Sequence, residues 1–262
     1  MQPLPRSASV CFAGLSDRGR VRAHNEDAIA LDPALGLAVL ADGMGGHQAG
    51  EVASAIAVQT VRARLGASLT RGVTPEEIEP SVCAAVTAAN QAILTVAAHM
   101  PACHGMGTTL VLALFTRNTV TVAHVGDSRA YRLRAGELQA LTRDHSLVQQ
   151  QIDAGLLRPE QARQRRERHV LTRALGIEGG RVPALSSHPL QPGDRYLLCS
   201  DGLHDMLSDE RIGTELHRTP GPQAAARALL DAANEAGGHD NISVIVADWP
   251  SDRNFRSAPC PG

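Results

Sequence analysis

The sequence predicts an α+β fold, a four-layer α/β/β/α sandwich in which two central, mainly antiparallel sheets are flanked by helices. Strand-like segments come in blocks rather than in strict alternation with helices, which favours antiparallel sheets. These segments are mostly apolar on both faces, as in 109–114, which suits sheets that stack on each other beneath outer helices. Because the chain has only one Trp, two Tyr and three Phe, Ala, Val and Leu must fill most of the core.

Eight short segments rich in apolar and β-branched residues, each bounded by turn residues, predict the strands. Most of them fall into blocks before, between and after the predicted helices. The predicted strands are at about 10–16, 27–32, 36–41, 108–116, 119–125, 129–134, 195–200 and 242–248.

Three helices are predicted from apolar residues at helical spacing. The first covers about 50–65. The second begins after Thr74, where Thr74 and Glu77 can form a capping box and Pro75 takes the first helical position. The third covers about 223–235. An irregular helical region is expected between the sixth and seventh strands.

Residues 9–248 are predicted to form one domain between two tails, residues 1–8 and 249–262, because no linker or internal repeat divides them. We find no 18-residue apolar stretch in the sequence, so no membrane span is expected. The start of the chain lacks the basic-then-apolar order of a secretion signal. The five cysteines are scattered, odd in number and without a Cys-x-x-Cys pair, which favours free thiols and a cytoplasmic location.

Charge composition excludes several functional classes. The net charge of −2 argues against general nucleic-acid binding, which needs a basic excess. All 25 basic residues are arginine. Without lysine the chain cannot form a Schiff base, a Walker-type phosphate loop or a protein-kinase active site. Phosphate recognition must therefore use guanidinium groups, backbone N–H groups or metal ions.

Four aspartates stand where an apolar strand-like segment meets a turn, namely Asp42, Asp127, Asp201 and Asp240. A carboxylate at a strand end is held by a stiff element and can still reach an open cleft. Several carboxylates that converge there repel one another unless a cation lies among them. Hard divalent ions such as Mg²⁺ and Mn²⁺ prefer oxygen ligands of this kind. The alternative is that Asp-Gly and Asp-Asn are merely common turn dipeptides.

The segment 19–27 joins an arginine to two acids at close range. Arg22 can bind a phosphate with two parallel hydrogen bonds, while Glu26 and Asp27 can hold metal-bound waters. The alternative is a surface ion pair within a turn. Beside the first strand-end aspartate, Gly43 lacks a side chain, so its carbonyl oxygen can approach an ion.

Six motifs occur in a familiar order. They are Arg22-Ala23-His24-Asn25-Glu26-Asp27, Asp42-Gly43-Met44-Gly45-Gly46-His47, Gly107-Thr108-Thr109, Gly126-Asp127-Ser128-Arg129, Ser200-Asp201-Gly202 and Asp240-Asn241. Together they resemble the metal-dependent protein serine/threonine phosphatases, the type 2C or PPM family, in its compact bacterial form. The resemblance covers about residues 9–248.

The resemblance implies a site with two Mn²⁺ or Mg²⁺ ions and a third, weaker ion. Asp42 would bridge the two main ions, and the carbonyl of Gly43 would be a further ligand. Asp201 and Asp240 would complete the shell of the first ion. Asp127 would hold the third ion together with Asp201. In such two-metal hydrolases the ions lower the pKa of a water that attacks phosphorus in line.

The same resemblance assigns Glu26 and Asp27 mainly to waters on the second ion and Arg22 to the substrate phosphate. Arg22 is therefore predicted to be catalytic together with the bridging aspartate. At position 44, animal members of the family carry a histidine proposed as general acid, whereas this chain has Met44, as is usual in bacterial members. His47 does not match that position, so the role is not transferred to it.

The stretch 144–176 matches the variable flap that lies beside the active site in this family. His169 stands where bacterial members usually have asparagine. We predict that the basic flap attracts acidic or multiply phosphorylated protein segments; the alternative is a solvated helix face. The basic residues are Arg158, Arg163, Arg165, Arg166 and Arg168.

The predicted function is the metal-dependent hydrolysis of phosphoserine and phosphothreonine in proteins. The expected partners are a bacterial serine/threonine kinase and its substrates, and a monomer is expected. Two alternatives are a catalytically silent relative that binds partners and a phosphoesterase acting on small molecules. The first would have lost metal aspartates, and none is missing. The second is disfavoured because no base-stacking or sugar-binding set is evident.

Overall fold

The computed structural model describes residues 10–45, 49–162, 165–177 and 182–250, without the side chain of Arg166. The N-terminal tail, nearly all of the C-terminal tail, His47 and Arg163 lie outside the described residues.

Within these ranges the strands form two sheets, and the neighbouring strands in them run antiparallel. The strands are β1 (Cys11–Asp17), β2 (Asp27–Asp32), β3 (Leu37–Met44), β4 (Gly107–Thr108), β5 (Leu110–Phe115), β6 (Thr119–Val125), β7 (Arg129–Arg134), β8 (Glu137–Ala140), β9 (Ala184–Pro189), β10 (Arg195–Cys199) and β11 (Ile242–Asp248). One sheet has the order β1-β11-β10-β7-β8 and the other β2-β3-β5-β6-β9, with β4 paired to β3.

Helices cover the outer face of each sheet. They are α1 (Ala49–Thr70), α2 (Pro75–His99), α3 (Leu147–Asp153), α4 (Pro159–Ala162), α5 (Asp201–His204), α6 (Asp209–Arg218) and α7 (Pro222–Glu235), with short 3₁₀ turns at Pro101–Cys103 and Arg166–His169. Apolar residues of α1 and α2 pack with β3 and β5 in one core layer. Residues of α6 and α7 pack with β10 and β11 in another. The predicted four-layer α/β/β/α sandwich is thus confirmed.

The helix α2 begins as its capping box predicts, because the backbone N–H of Thr74 donates to Glu77 Oε2 at 2.8 Å. The prediction of no long apolar stretch needs correction here. By length and composition α2 is apolar enough to cross a membrane. Its Val82, Val86 and Ile93 are fully buried in the α1–α2 layer. The core helices of globular proteins pass the same test, and 33% of the most apolar 18-residue stretch of α2 is buried inside the structure.

The layer between the sheets holds most of the few aromatic residues. Phe115 makes edge-on contacts with Phe12 and Tyr196, at centroid distances of 5.6 and 5.2 Å, and stacks on Trp249 at 6.3 Å. Trp249 lies one residue beyond the predicted end of the domain, yet it is buried in this layer. Around these rings the layer consists mainly of Ala, Val, Leu and Ile, as the composition predicts.

Three cysteines, Cys83, Cys103 and Cys199, are free thiols, as predicted. Cys11 is disulfide-bonded, so the prediction of free thiols is wrong at this position.

Candidate metal and phosphate site

The four strand-end aspartates converge in one cleft of about 500 Å³ at one end of the sandwich. Asp42 lies near the end of β3, Asp127 follows β6, Asp201 opens α5 directly after β10, and Asp240 precedes β11. Seven of the eight residues predicted for the site line this cleft, namely Arg22, Glu26, Asp42, Gly43, Asp127, Asp201 and Asp240.

The eighth residue, Asp27, lies directly opposite Asp42 in the register of β2 and β3. Its Oδ2 accepts a hydrogen bond of 2.9 Å from the hydroxyl of Ser200. The same hydroxyl accepts a hydrogen bond from the backbone N–H of Ser243. Asp27 is therefore held from both sheets, because Ser243 lies in β11 and Ser200 directly follows β10, both strands of the sheet that does not contain β2.

The backbone of Asp42 is held by two threonines. Its N–H donates to Thr109 Oγ1 at 3.0 Å. Its carbonyl accepts from the N–H of Thr109 and from the hydroxyl of Thr108, each at 2.8 Å. The motif at 107–109 thus positions the central aspartate, a role that the sequence analysis did not assign to it.

Gly43 lies where a side chain cannot fit. A Cβ atom there would lie 2.1 Å from the carbonyl oxygen of Gly50 and 2.6 Å from that of Glu26. The N–H of Gly43 donates to the Glu26 carbonyl at 3.2 Å. At Gly50, near the start of α1, a Cβ atom would lie 2.4 Å from Glu26 Oε2. The glycines therefore let three chain segments meet around Glu26.

Asn241 connects these segments and was quoted in a motif without a role. Its Oδ1 accepts from the N–H of Glu26 at 2.8 Å. Its Nδ2 donates to the carbonyls of Arg18 and His24, at 3.0 and 2.9 Å. The loop that carries Arg22 and Glu26 is thereby tied to the start of β11. An asparagine directly after a predicted ligand was the available signal for this role.

Burial and mutual repulsion raise the pKa of most of the acids. Burial, with Asp27 and Asp201 nearby, raises the pKa of Asp42 well above its usual value. Burial and the charge of Asp201 do the same to the pKa of Asp127. Burial raises the pKa of Asp27 to about 7, despite its hydrogen bonds from serine. Burial also raises the pKa of Asp240. Such a cluster takes up protons or a cation near neutral pH.

Asp201 is the exception within the cluster. Burial acts against its carboxylate, but the nearby His169 and His204 hold the pKa of Asp201 below its usual value. We therefore expect Asp201 to be the most readily ionised of the clustered acids when no cation is bound.

Two buried carboxylate oxygens support a divalent cation at this site. Among the described residues, Asp27 Oδ1 and Asp201 Oδ1 are buried and have no hydrogen-bond partner. A buried acceptor without a partner is costly, so such atoms call for an unseen partner. An all-oxygen carboxylate set matches the ligand preference of Mg²⁺ and Mn²⁺. The residues present therefore fit the predicted ions.

The predicted phosphate ligand, Arg22, lies at the mouth of the cleft. Its Nη2 is 2.7 Å from Asp240 Oδ2, and its side chain is 55% exposed. The guanidinium group thus has one side held by a predicted metal ligand and another side open. This arrangement can place a phosphate next to the carboxylate cluster.

The 3₁₀ turn of the flap contributes two further cleft residues, Arg168 and His169. His169 Nδ1 is 3.7 Å from Asp201 Oδ2 and 3.6 Å from Asp205 Oδ2. Ligand-type atoms of His169, Asp201 and Asp205 all lie within 4.8 Å of one another. His169 and Asp205 were not predicted as site residues. His169 and Asp205 come close together because the flap folds back over α5. This fold-back has no local signature in the sequence.

The protein phosphatase 2C profile matches residues 17–233, a range that contains every cleft residue named above except Asp240 and Asn241. The chain belongs to the protein phosphatase 2C family.

Two curated relatives illustrate the similarity. The serine/threonine protein phosphatase PstP of Mycobacterium tuberculosis is 43% identical over 238 residues, which cover 90% of this chain and 44% of PstP. The chain thus spans less than half the length of that relative. The serine/threonine phosphatase stp of Listeria monocytogenes is 37% identical over 246 residues, which cover 93% of this chain and 97% of stp.

A solved structure agrees with the fold. The catalytic domain of PstP in complex with two manganese ions superposes with a TM-score of 0.80 and 42% sequence identity. The match covers 91% of this chain and 97% of that domain. The two-sheet sandwich of this protein is therefore that of the family.

Proposed function

We propose that this protein hydrolyses phosphoserine and phosphothreonine in proteins, with divalent metal ions as cofactors. The observation that carries the proposal is the convergence of carboxylates from both sheets on one cleft, with two buried, unpartnered carboxylate oxygens and an arginine at the mouth. The relatives named as serine/threonine phosphatases support the substrate class. An opposing serine/threonine kinase is the partner that this chemistry requires.

The residues that would hold the two main ions are Asp42, Gly43, Asp201 and Asp240, with Asp27 and Glu26 near them. Bound divalent ions supply an activated water nucleophile and stabilise negative charge on the phosphate and the leaving alkoxide. Residues of the chain itself would bind the substrate and position the reacting groups.

Arg22 would bind and orient the phosphate at the cleft mouth. Asp27, fixed by Ser200, would keep water molecules in place on the β2 side. The hydrogen bonds from Thr108 and Thr109 to the backbone of Asp42 hold the central carboxylate in place, so the site needs little rearrangement during the reaction.

A third ion is part of the proposal. Asp127 lies in the cleft beside Asp201, and burial together with the charge of Asp201 raises the pKa of Asp127. Asp127→Ala should lessen the need for a high metal concentration, or lower the rate itself, without removing the two main ions. Either Mn²⁺ or Mg²⁺ suits an all-oxygen ligand set.

The basic flap is proposed to favour acidic or multiply phosphorylated segments. Arg165 is exposed, and Arg168 lines the cleft, while Arg163 and the side chain of Arg166 lie outside the described residues. Charge reversal at Arg165 and Arg166 should lower kcat/KM for an acidic phosphoprotein. An unchanged kcat/KM in that variant would contradict recruitment by the flap.

The test of the main proposal is phosphate release from a phosphothreonine peptide with Mn²⁺, with Mg²⁺ and with EDTA. Release that requires metal is the expected result. Nucleotides serve as the comparison substrates, because a small-molecule phosphoesterase would prefer them. A folded protein that releases no phosphate with either metal would instead support a silent binding module.

A further inference from the structure

The flap is fastened to the helical turn that carries a predicted metal ligand. Arg168 Nε lies 3.4 Å from Asp205 Oδ2, and His169 Nδ1 lies 3.6 Å from the same oxygen. Asp205 ends the short helix α5, which Asp201 begins, and the N–H of Asp205 donates to the Asp201 carbonyl at 2.8 Å. One turn of helix therefore carries two aspartates near the flap: Asp201 also belongs to the predicted metal site, whereas Asp205 contacts both Arg168 and His169.

Exposure increases along this set of residues. The side chain of Asp201 is 16% exposed, that of Asp205 is 23% exposed, and those of Arg168 and His169 are 41% and 49% exposed. All four line the cleft. Asp201 thus lies at the floor, the flap residues form part of the rim, and Asp205 connects the two. A small phosphate ester needs only the floor, whereas a polypeptide must also cross the rim.

We propose that Asp205 is a positioning residue that holds the flap turn as one wall of the substrate cleft and so favours polypeptide substrates over small phosphate esters. This inference rests on the proposed phosphatase function. Asp205 acts through Arg168 and His169 and does not touch the reacting phosphate itself. Because two flap residues share one carboxylate oxygen, removal of that carboxylate releases both contacts at once.

The test compares Asp205→Ala with the wild-type protein at saturating Mn²⁺. Partly exposed ion pairs are individually modest, so we expect KM for a phosphothreonine peptide to rise about fivefold. The kcat on the peptide and both constants for p-nitrophenyl phosphate should stay within about twofold. A matched control is Asp231→Ala, which removes the exposed Arg227–Asp231 pair on α7, outside the cleft.

A double-mutant cycle tests whether Asp205 acts through His169. If Asp205 works through His169, the variant with both Asp205→Ala and His169→Ala should show no larger rise in KM than the worse single variant. Fully additive effects of the two substitutions would overturn the proposal. Hydrogen exchange gives a readout that does not depend on activity, and faster exchange at 165–171 in Asp205→Ala is expected.

Two other outcomes would overturn the inference. Equal losses on the peptide and on p-nitrophenyl phosphate, or a changed Mn²⁺ requirement, would make Asp205 a support of the metal site. An unchanged KM together with unchanged exchange would show that the flap does not depend on it. If the wild-type protein turned over neither substrate, the proposed function would fail, and hydrogen exchange alone would then decide whether Asp205 holds the flap.

Discussion

Arg22 donates a hydrogen bond to Asp240 across the mouth of the cleft, with 2.7 Å between Nη2 and Oδ2. The predicted phosphate ligand and a predicted metal ligand are therefore in direct contact. Since a cation bound by Asp240 competes with the guanidinium group for the same carboxylate, the two functions of the cleft are electrostatically coupled.

This contact predicts that Arg22→Ala weakens substrate binding and strengthens Mn²⁺ binding. KM for a phosphothreonine peptide should rise roughly 10–100-fold, because hydrogen bonds to charged groups contribute ~1.5–3 kcal/mol. Mn²⁺ should bind more tightly, because Asp240 loses a competing cation. Calorimetric titration with Mn²⁺ tests the change in metal affinity, and steady-state kinetics test the change in KM. Arg20→Ala controls for the loss of one positive charge on the same exposed loop, and weaker Mn²⁺ binding in Arg22→Ala would contradict the coupling.

Asp42→Asn should remove turnover and leave the fold intact. The loss should exceed the ~10–100-fold typical of outer-shell partners of metals, because Asp42 is predicted to bind both main ions itself. The metal-free variant should also melt at a higher temperature than the metal-free wild-type protein, since one buried repelling charge is gone.

Asp32→Asn is the control for that variant. Asp32 lies at the other end of the same strand pair and forms a surface ion pair with Arg62 at 3.3 Å. Its replacement should leave activity unchanged and change stability by less than about 1 kcal/mol. Substantial activity in Asp42→Asn would count against the metal assignment.

The buried Asp27 should contribute less to the stability of the metal-free protein as pH rises. Burial raises the pKa of Asp27 to about 7 in the folded state, against about 3.9 in the unfolded chain. The folded state therefore binds this proton more tightly, so the stabilisation is complete below about pH 4 and is lost as pH rises through about 7. The pKa values of Asp42 and Asp127 are raised in the same direction.

Burial lowers the pKa of His145 to about 4, which acts in the opposite sense between pH 5 and pH 8. The useful comparison is therefore between the wild-type protein and Asp27→Asn, because His145 is the same in both. In EDTA the Tm of the wild-type protein should fall relative to that of Asp27→Asn by ~5 °C between pH 5 and pH 8. Excess Mn²⁺ should remove most of this difference, because a bound cation offsets the carboxylate charges. A difference in Tm that stays constant over this range would contradict the charge cluster.

Gly43→Ala should be destabilising by ~1–3 kcal/mol or more, because the added methyl group would overlap the carbonyl oxygens of Gly50 and Glu26. Gly66→Ala is the matched control. Gly66 lies within α1, and a Cβ atom there would only touch the Leu35 side chain at 3.4 Å. That substitution should stabilise the helix by roughly 0.5–1 kcal/mol. Denaturant unfolding of both variants tests the contrast, and equal effects would contradict it.

Periodicity predicted most of the strands and three helices, but it missed two edge strands and the helix α6, whose Ile212 and Leu216 are fully buried. The predicted segment 108–116 is divided into β4 and β5 at Thr109, whose hydrogen bonds to Asp42 interrupt the strand. Both unpredicted strands, β8 and β9, lie at sheet edges, where few apolar residues are needed. β9 has the sequence ALSSHP and ends in proline, a residue that sheets tolerate mainly at edges.

The site likewise contains residues that local sequence patterns could predict and residues that they could not. Asp42, Asp127, Asp201 and Asp240 could be found because each sits where an apolar strand meets a turn. Asp205 could not, because its importance depends on the flap turning back over α5. Sequence patterns report what a segment does with its own neighbours, whereas contacts between distant loops depend on the whole fold.

The two ends of the sandwich are held by opposite kinds of chemistry. The aromatic cluster around Phe115 and Trp249 lies where β5 and β11 end, while the aspartate cleft lies where the same strands begin. One end is closed by packed aromatic rings, whereas at the other end the repulsion between like charges lowers stability unless a cation binds among them. The supply of divalent metal should therefore affect the stability of one end of the sandwich more than that of the other.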